Sequence, residues 1–335
     1  MGQNYVYIHP DGQASRCCRD HSFSLGNIID SSFKLLEEAA ICNAQNCNCW
    51  RAMLVDREDF WWRHWGRYEI TDLAMSECKK NMAKDFRIAL LQPPVWGIYE
   101  PPVALAQLSS CLKSAAFKVS VFDLNIELYH QCKDKHKNFW AIEQSSFWAN
   151  KDNVEKFFQE QYDFIEDYLN KIIASSPQVV GFSVNVCSLP ATIELAKRLK
   201  YKIPEVKIVL GGPIFFLDCD APSLLKNDCI DIIVQSEAEE TLCELAQFLS
   251  EAKELRLCRG IYFKNEGGLI KTETRPLIKN LDTLPFLDLE SFPLEKYDAP
   301  GHLGKHISLM TTRGCILNCA YCGPKAYWKG FRYMS

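Results

Sequence analysis

Several features are missing from this sequence, and each absence excludes a class of protein. No apolar run reaches roughly 18 residues, the length that a membrane-spanning helix needs. The first residues, MGQNYVYIHPDGQ, lack the basic start and the apolar stretch of a secretory signal. The sequence also lacks a large excess of either sign of charge, because 38 Lys and Arg against 42 Asp and Glu leave a net charge of only -4. We therefore expect no nucleic-acid partner and no membrane partner, and we predict a cytoplasmic location.

Cysteine, by contrast, is abundant, with 16 residues in a chain of 335. Disulfide-stapled secreted proteins are short and loop-rich, whereas this chain is long and alternates apolar runs with amphipathic segments. The cysteines that cluster before Trp50 and near the C-terminus therefore indicate metal ligands. The scattered cysteines between these clusters are expected to be small buried hydrophobic residues. They are Cys111, Cys187, Cys219, Cys229, Cys243 and Cys258.

The middle of the chain alternates strand patterns with helix patterns. Short apolar runs without a helical period are typical of buried parallel strands, and they occupy 86–92, 118–125, 178–185, 206–212 and 231–234. The helices predicted between and after them are 103–116, an aromatic and charged insertion over 136–174, 189–202 and 239–250. This alternation predicts an α/β fold with a doubly wound parallel sheet, Rossmann-like or flavodoxin-like, and with helices on both faces.

Small and polar residues follow the predicted strands. In an open α/β sheet the ligand crevice lies at the carboxyl ends of the strands, and glycines there let a large flat ligand approach the backbone. An ordinary role as turn residues is the alternative. The candidate cofactor-binding residues are Pro94, Asp123, Asn125, Ser183, Gly211, Gly212, Glu237 and Glu239.

The strongest motif is TTRGCILNCAYCGPK at residues 311–325. Its cysteines, Cys315, Cys319 and Cys322, have the spacing C-x3-C-x2-C. Three thiolates on a short loop can hold three irons of a 4Fe-4S cluster and leave the fourth iron open. A zinc site fits less well, because structural zinc takes four ligands, commonly as two spaced pairs.

This loop resembles the hallmark of the radical S-adenosylmethionine superfamily. A predicted strand precedes it, Arg313-Gly314 stand ahead of the first cysteine, and Tyr321 precedes the last one. The resemblance implies that the open iron binds S-adenosylmethionine. It also implies that an electron from the cluster cleaves this cofactor to a deoxyadenosyl radical.

The residues before the loop resemble the cobalamin-binding domain that precedes many radical S-adenosylmethionine barrels. The shared features, in order, are Pro93–Pro94, Asp123–Asn125, Gly211–Pro213 and the acidic run that begins at Glu237. The resemblance covers about residues 86–335 and implies that the strand ends cradle cobalamin. The family's Gly-Glu-Gly-Glu is here Ser-Glu-Ala-Glu at 236–239. No Asp-x-His-x-x-Gly is present, so no histidine ligand below cobalt is expected.

Four units are predicted along the chain. They are a Cys-rich region at 1–84, a cobalamin-binding domain at 85–255, a hairpin and linker at 256–305, and the first strand and cluster loop of a radical S-adenosylmethionine barrel at 306–335. The remainder of such a barrel would take roughly 200 residues. We therefore expect the chain to be a fragment or one piece of a split gene.

The N-terminal region resembles the SPASM-type auxiliary-cluster tail that follows some radical S-adenosylmethionine barrels. It shares a Pro10–Gly12 turn, a Leu25–Ile28 segment and clustered cysteines. The resemblance implies an auxiliary iron–sulfur cluster; a zinc site and unligated thiols are the alternatives. The predicted ligands are Cys17, Cys42, Cys47 and Cys49, with Cys18 spare beside Cys17.

These resemblances together imply an enzyme that uses a 4Fe-4S cluster, S-adenosylmethionine and cobalamin in radical methyl transfer or a related radical step. They also imply a small-molecule or peptide substrate and an electron donor such as flavodoxin or ferredoxin. One alternative is a non-catalytic remnant that binds only cobalamin or a cluster. Another is a cobalamin-independent radical enzyme, which the replacements at Ser236 and Ala238 would allow. Fold resemblance alone assigns neither a substrate nor a catalytic residue.

Overall fold

The computed structural model describes the backbone of residues 7–8, 13–15 and 24–27, and residues 86–216, 221–266, 268–297, 307–317, 319, 322 and 330–335. The strands of these residues are β1 (Tyr7–Ile8), β2 (Gln13–Ser15), β3 (Ser24–Asn27), β4 (Arg87–Gln92), β5 (Lys118–Asp123), β6 (Val179–Ser183), β7 (Lys207–Gly211), β8 (Ile232–Val234), β9 (Ile261–Asn265), β10 (Gly268–Lys271), β11 (Thr312–Arg313) and β12 (Arg332–Tyr333). The helices are α1 (Val103–Ser114), α2 (Leu124–Gln131), α3 (Asp134–Lys137), α4 (Ser145–Ala149), α5 (Lys151–Glu160), α6 (Tyr162–Ala174), α7 (Leu189–Lys202), α8 (Ala221–Leu224) and α9 (Glu239–Ser250).

Strands β4 to β10 form one seven-stranded sheet in the order β10-β9-β8-β7-β6-β4-β5. The five strands β5, β4, β6, β7 and β8 are parallel, so the predicted fold class is confirmed. Their order is that of flavodoxin-like sheets, in which the chain moves from the first strand to one side and later returns to the other. The switch point lies between β4 and β6, and ligand crevices of this fold form at the carboxyl ends there.

Strands β9 and β10 extend the sheet on the β8 side. They form an antiparallel hairpin in which Asn265 pairs with Gly268, and β9 also runs antiparallel to β8. The hairpin predicted within 258–275 is therefore present. It belongs to the same sheet as the parallel strands, because its first strand finds its hydrogen-bond partners on the edge of β8.

A hydrophobic core lies on each face of the sheet. Alternate residues of a strand point to opposite faces, and β4 divides accordingly: Ile88 and Leu90 belong to one core, and Ala89 and Leu91 to the other. Helices α1 and α9 cover the Ile88 face, while α2 and the helices α4 to α7 cover the Ala89 face. Helices thus lie on both faces, as the crossover rule predicts.

The long insertion between β5 and β6 is helical, as predicted, and it begins earlier than the sequence pattern suggests. The predicted strand over 118–125 ends at Asp123, whose side chain accepts a hydrogen bond from the Ile126 amide and caps α2. Asn125 therefore lies in a helix and not at a strand end. Buried Trp140, Trp148 and Phe157 pack edge to face within the insertion.

The segment after β10, which the sequence predicts to be a linker, lies against α1. The Gln107 side-chain amide donates to the Pro285 carbonyl (2.8 Å), and the Asp288 amide donates to the Ala106 carbonyl (3.1 Å). Beyond it, β11 pairs antiparallel with β12. Only Thr312 and Arg313 of the predicted strand before the cluster motif form a ladder.

Near the N-terminus, β1 and β2 pair antiparallel on either side of the predicted Pro10–Gly12 turn, and β3 pairs with β2. The remaining N-terminal predictions, including those for Cys17, Cys42, Cys47 and Cys49, lie outside the described residues. Within the described residues, every helix is too short or too polar to cross a bilayer.

Candidate functional site

A partly open cleft of about 310 Å³ lies at the carboxyl ends of β4, β6, β7 and β8. Residues of α1 and α9 form its sides, and the sheet forms its floor. Met310 and Arg313, from the segment that leads to the first cysteine of the motif, complete its wall. The cleft therefore sits at the switch point of the sheet, where the topology places a ligand site.

The floor of the cleft is open because small residues share one face of the sheet. The strand period of two puts Gly181 and Ser183 of β6 on the same face, and Gly211 of β7 lines the same floor. A Cβ added at Gly181 would lie 3.2 Å from Leu90 Cδ2. Even one methyl group would therefore press on the cleft wall.

The turn after β7 requires glycine at Gly212. Its φ is +122°, and an added Cβ would lie 2.4 Å from the Val184 carbonyl oxygen. The Val184 amide donates to the Gly211 carbonyl at 2.7 Å, so the exits of β6 and β7 are held against each other. Backbone this close leaves no room for a side chain.

The loop that follows β8 carries the two replaced glycines, and their conformations differ. Ser236 has a φ of +67°, a left-handed conformation that costs a residue with a side chain about 1–2 kcal/mol. Ala238 has a φ of -99° and a ψ of -9°, which any residue adopts. Only position 236 therefore keeps a glycine-like backbone, and both side chains line the cleft.

A buried charge cluster closes this end of the cleft. Arg313 donates from Nη1 to Glu237 Oε1 at 3.0 Å and from Nη2 to Glu239 Oε1. Arg332 Nη1 lies 2.8 and 2.9 Å from the two carboxylate oxygens of the same Glu237. Burial works to lower the pKa of Arg313, but the neighbouring carboxylates of Glu239 and Glu237 hold the pKa above its ordinary value.

Five of the eight predicted cofactor-binding residues line the cleft: Ser183, Gly211, Gly212, Glu237 and Glu239. The other three, Pro94, Asp123 and Asn125, lie outside its lining. The hydrogen-bond partners of Asn125 and Asp123 show what these two side chains do instead.

Asn125 holds the loop that follows β4. Its Oδ1 accepts hydrogen bonds from the Trp96 amide (2.9 Å) and from Trp140 Nε1 (2.7 Å), and its Nδ2 donates to the Gly97 carbonyl (3.1 Å). Trp96 in turn lines the cleft. Asn125 therefore shapes the cleft through this loop.

Asp123 joins β5 to the linker. Its side chain is buried and accepts two hydrogen bonds. One comes from the Ile126 amide at 3.0 Å and caps α2, and the other comes from the Tyr297 hydroxyl at 2.6 Å. Burial raises the pKa of Asp123 to about 6, although both hydrogen bonds work to lower it. This carboxyl therefore titrates well above the usual range of aspartate.

The three cysteines of the motif are free and partly exposed. The Cys322 amide donates to the Cys319 carbonyl at 3.2 Å, and the Leu317 amide donates to Cys315 Sγ at 3.3 Å. Across the described part of the chain, no three His, Cys, Asp or Glu side chains already converge as a metal site. Thiolate ligands commonly gather only as the metal binds, and the residue types fit iron–sulfur ligation. Their role as ligands stays a prediction.

The prediction of buried cysteines in the middle of the chain is confirmed at Cys111, Cys229 and Cys258. Cys187 and Cys243 are partly exposed, and Cys219 lies outside the described residues. Burial raises the pKa of Cys111 and of Cys258 to about 12. Thiols of this kind stay protonated near neutral pH and are poor nucleophiles.

Sequence reasoning missed two residues of the site. Gly181 makes the floor of the cleft, and a lone glycine inside a strand is a known sign of close backbone approach. Arg313 stands out in the sequence only as a neighbour of the cysteines. Its burial and its two carboxylate partners come from distant parts of the chain, and no local pattern indicates them.

Comparison with known proteins agrees with the position of the cleft. Residues 150–246 match the family model described as the B12 binding domain. The matched stretch runs from the helical insertion to α9 and contains Gly181, Ser183 and Gly211.

Two curated relatives are enzymes by name. The chain is 32% identical over 161 residues to an uncharacterized methyltransferase of Pyrococcus horikoshii, covering 46% of this chain and 34% of the relative. It is 30% identical over 170 residues to the anaerobic magnesium-protoporphyrin IX monomethyl ester cyclase of Synechocystis, covering 50% of this chain and 33% of the relative. The chain thus spans about a third of the length of these relatives.

A solved structure shares the fold. It is the cobalamin-dependent S-adenosylmethionine radical enzyme OxsB, with aqua-cobalamin and S-adenosylmethionine bound. The TM-score is 0.51 at 19% identity, over 74% of this chain and 30% of that one. At this level of identity the likeness concerns the fold alone.

Proposed function

We propose that this chain supplies the cobalamin-binding domain and the cluster loop of a radical S-adenosylmethionine enzyme that transfers a methyl group or performs a related radical step. The observation that carries the proposal is the cleft at the switch point, with its floor of Gly181, Ser183 and Gly211. All three residues fall inside the stretch that matches the B12 binding domain.

The cleft fits a flat ligand that lies against backbone. Three of its floor positions carry no side chain or a short one, and α1 and α9 supply apolar sides, including Leu105 and Leu242. Ser236 and Ala238 add two heavy atoms and one heavy atom respectively where the resembling family has glycines. These additions are small, so they leave room for the ligand at the mouth of the cleft.

The cluster loop is the second part of the proposal. Cys315, Cys319 and Cys322 would hold a 4Fe-4S cluster with one iron open for S-adenosylmethionine. Arg313, two residues before the first cysteine, lines the cofactor cleft. The chain therefore joins the proposed cluster site to the proposed cobalamin site over a short distance in sequence.

When bound, cobalamin would supply the methyl group, and the cluster would supply the electron that starts the radical chemistry. The chain's own part is to bind and to exclude water. Gly181 and Gly211 admit the ligand to the backbone, and the apolar sides keep water from one face of it. We further propose a small-molecule or peptide substrate and an electron donor of the flavodoxin or ferredoxin type.

The first test is cobalamin retention by the full chain. The protein is incubated anaerobically with hydroxocobalamin, passed through a gel-filtration column, and examined by ultraviolet–visible absorption. We expect about one equivalent of cobalamin to co-elute with wild type. Gly181→Val should abolish this co-elution, because its side chain would occupy the cleft floor beside Leu90.

Gly97→Val is the matched control for this substitution. A Cβ added at Gly97 meets nothing within 4 Å, and Gly97 is outside the cleft lining. This variant should retain cobalamin as wild type does. If folded wild type retains none, the cobalamin proposal is wrong, and iron and sulfide bound after reconstitution would then favour a cobalamin-independent radical enzyme.

A further inference from the structure

Three separate segments of the chain meet at one buried carboxylate, Glu237. Its Oε1 lies 3.0 Å from Arg313 Nη1 and 2.8 Å from Arg332 Nη1, and its Oε2 accepts a hydrogen bond from the Ile278 amide at 2.7 Å. Ile278 belongs to the linker, Arg313 to β11 and Arg332 to β12. One side chain of the β8–α9 loop therefore contacts all the described segments that surround the cysteine motif.

The two arginines sit at matching positions of a two-stranded ribbon. Arg313 pairs with Arg332 across β11 and β12, and the Met334 amide donates to the Thr311 carbonyl at 2.9 Å. The ribbon is only two residues long on each side, and so short a pair is not stable by itself. Its attachment to the sheet must come from side chains, and Glu237 contacts both of its strands.

The charges of this cluster balance and are removed from water. Arg313, Glu237 and Glu239 are 6%, 7% and 8% exposed, and two guanidinium groups face two carboxylates. Removing one partner from such a set leaves a buried charge without compensation, which is strongly unfavourable. The arrangement therefore has one preferred geometry, since a shift of the ribbon would break several contacts together.

We infer that Glu237 is a positioning residue that fixes the segment leading into the Cys315–Cys322 loop against the wall of the cofactor cleft. Glu239 supports it by holding the second nitrogen of Arg313. The acidic pair at 237 and 239 thus acts on the ribbon and not as a ligand of the cleft's occupant. The inference rests on the proposed function for the meaning of the loop, but the contacts can be tested without any cofactor.

The test is hydrogen–deuterium exchange of the full chain with no cofactor added. Glu237→Gln should raise the exchange rate of amides in 307–317 and 330–335 by roughly tenfold or more, because the ribbon loses the one carboxylate that contacts both of its strands. Amides of β6 in the core of the sheet should keep their wild-type rates. A merely structural role would instead raise exchange in β6 and in the ribbon together.

Glu240→Gln is the matched control. Glu240 lies on the first turn of α9 beside Glu239, its side chain is 55% exposed, and its ion-pair partner is Arg275 at 3.5 Å. This variant should exchange as wild type does throughout the ribbon. An equal rise in Glu240→Gln would mean that any lost negative charge loosens the region, and the inference would be wrong.

Two further variants test the same contacts, and Arg313→Lys does so without changing Glu237 if Glu237→Gln folds poorly. Arg313→Lys keeps the charge but replaces a guanidinium group that contacts two carboxylates with a single ammonium group. The exchange rate of the ribbon amides should therefore rise by a smaller factor than in Glu237→Gln. The double variant Glu237→Gln with Arg313→Gln should raise exchange by less than the two single changes combined, because the two side chains share the Glu237–Arg313 contact. Unchanged ribbon exchange in a folded single variant, or additive effects in the double, would overturn the inference.

Cobalamin retention separates this inference from the proposed function. If wild type retains cobalamin but Glu237→Gln leaves the ribbon unchanged, the positioning role fails and the proposed function stands. If wild type retains none but Glu237→Gln loosens the ribbon, the proposed cobalamin site fails and the positioning role stands.

Discussion

The two adjacent glycines at the end of β7, Gly211 within the strand and Gly212 just after it, give the sharpest test of how the cleft is built. Gly212→Ala places a Cβ 2.4 Å from the Val184 carbonyl oxygen and 2.7 Å from the Val184 nitrogen, at a φ of +122°. The conformational cost alone is about 1–3 kcal/mol. The clash is with backbone, so it must also stretch the 2.7 Å hydrogen bond from the Val184 amide to the Gly211 carbonyl, which adds about 1 kcal/mol.

We therefore expect Gly212→Ala to lower the free energy of unfolding by about 2–4 kcal/mol, a large part of the 5–15 kcal/mol that is usual for a folded domain. Gly211→Ala is the control one residue away. Its added Cβ would meet only Val234 Cβ at 3.8 Å, with no positive φ. That variant should stay within about 1 kcal/mol of wild type, because a lower chain entropy in the unfolded state offsets any crowding.

Urea titrations followed by far-ultraviolet circular dichroism measure both variants against wild type. The slope of the free energy of unfolding against urea should stay constant, so that the midpoint reports stability. Equal stability of Gly212→Ala and Gly211→Ala would refute the reasoning, because it would mean that the exits of β6 and β7 can separate at little cost.

Three further predictions concern titratable groups. Because burial raises the pKa of Asp123 to about 6 from 3.8, the folded chain keeps a proton between these pH values that the unfolded chain releases. Relative to Asp123→Asn, the free energy of unfolding should therefore fall by roughly 2–3 kcal/mol between pH 4 and pH 7, as urea titrations at each pH can measure. A parallel pH dependence in both proteins would contradict this. Tyr297→Phe removes a hydrogen bond that lowers the pKa of Asp123, so the loss of unfolding free energy with rising pH should continue to a higher pH than in wild type. An unchanged pH range for this loss would show that the hydroxyl does not act on Asp123. Burial raises the pKa values of Cys111 and Cys258 to about 12, so these thiols should react with iodoacetamide at pH 8 at least ~100-fold more slowly than Cys315. Peptide mass spectrometry of timed samples measures these rates, and equal rates for the three cysteines would mean that the two thiols are accessible.

The order of strands and helices could be read from the sequence. Short apolar runs between amphipathic helices predict parallel strands, and the observed β4, β6, β7 and β8 lie within the predicted ranges. The strand predicted over 118–125 is two residues too long, because Asp123 stops it by capping α2. A capping side chain and a polar strand end look alike in sequence, since aspartate serves in both.

Part of the cleft also follows from sequence alone. The period of two in a strand is enough to place Gly181 and Ser183 on one face, and the glycine pair at 211–212 marks the exit of β7. The roles of Pro94, Asp123 and Asn125 did not follow. Residues at strand ends can face the crevice or the neighbouring loops. Asp123 and Asn125 face the neighbouring loops, because the linker packs against Asp123 and the helical insertion packs against Asn125.

The sequence by itself determined the alternating sheet, Ser183 and Gly211 at its strand ends and the C-x3-C-x2-C motif, because each depends on near neighbours and on a fixed period. The tertiary structure alone decided the partners of Glu237. Arg313 and Arg332 lie 76 and 95 residues beyond it in the chain. An ion pair between positions so far apart leaves no local pattern, and it forms only when the ribbon is folded back onto the carboxyl edge of the sheet.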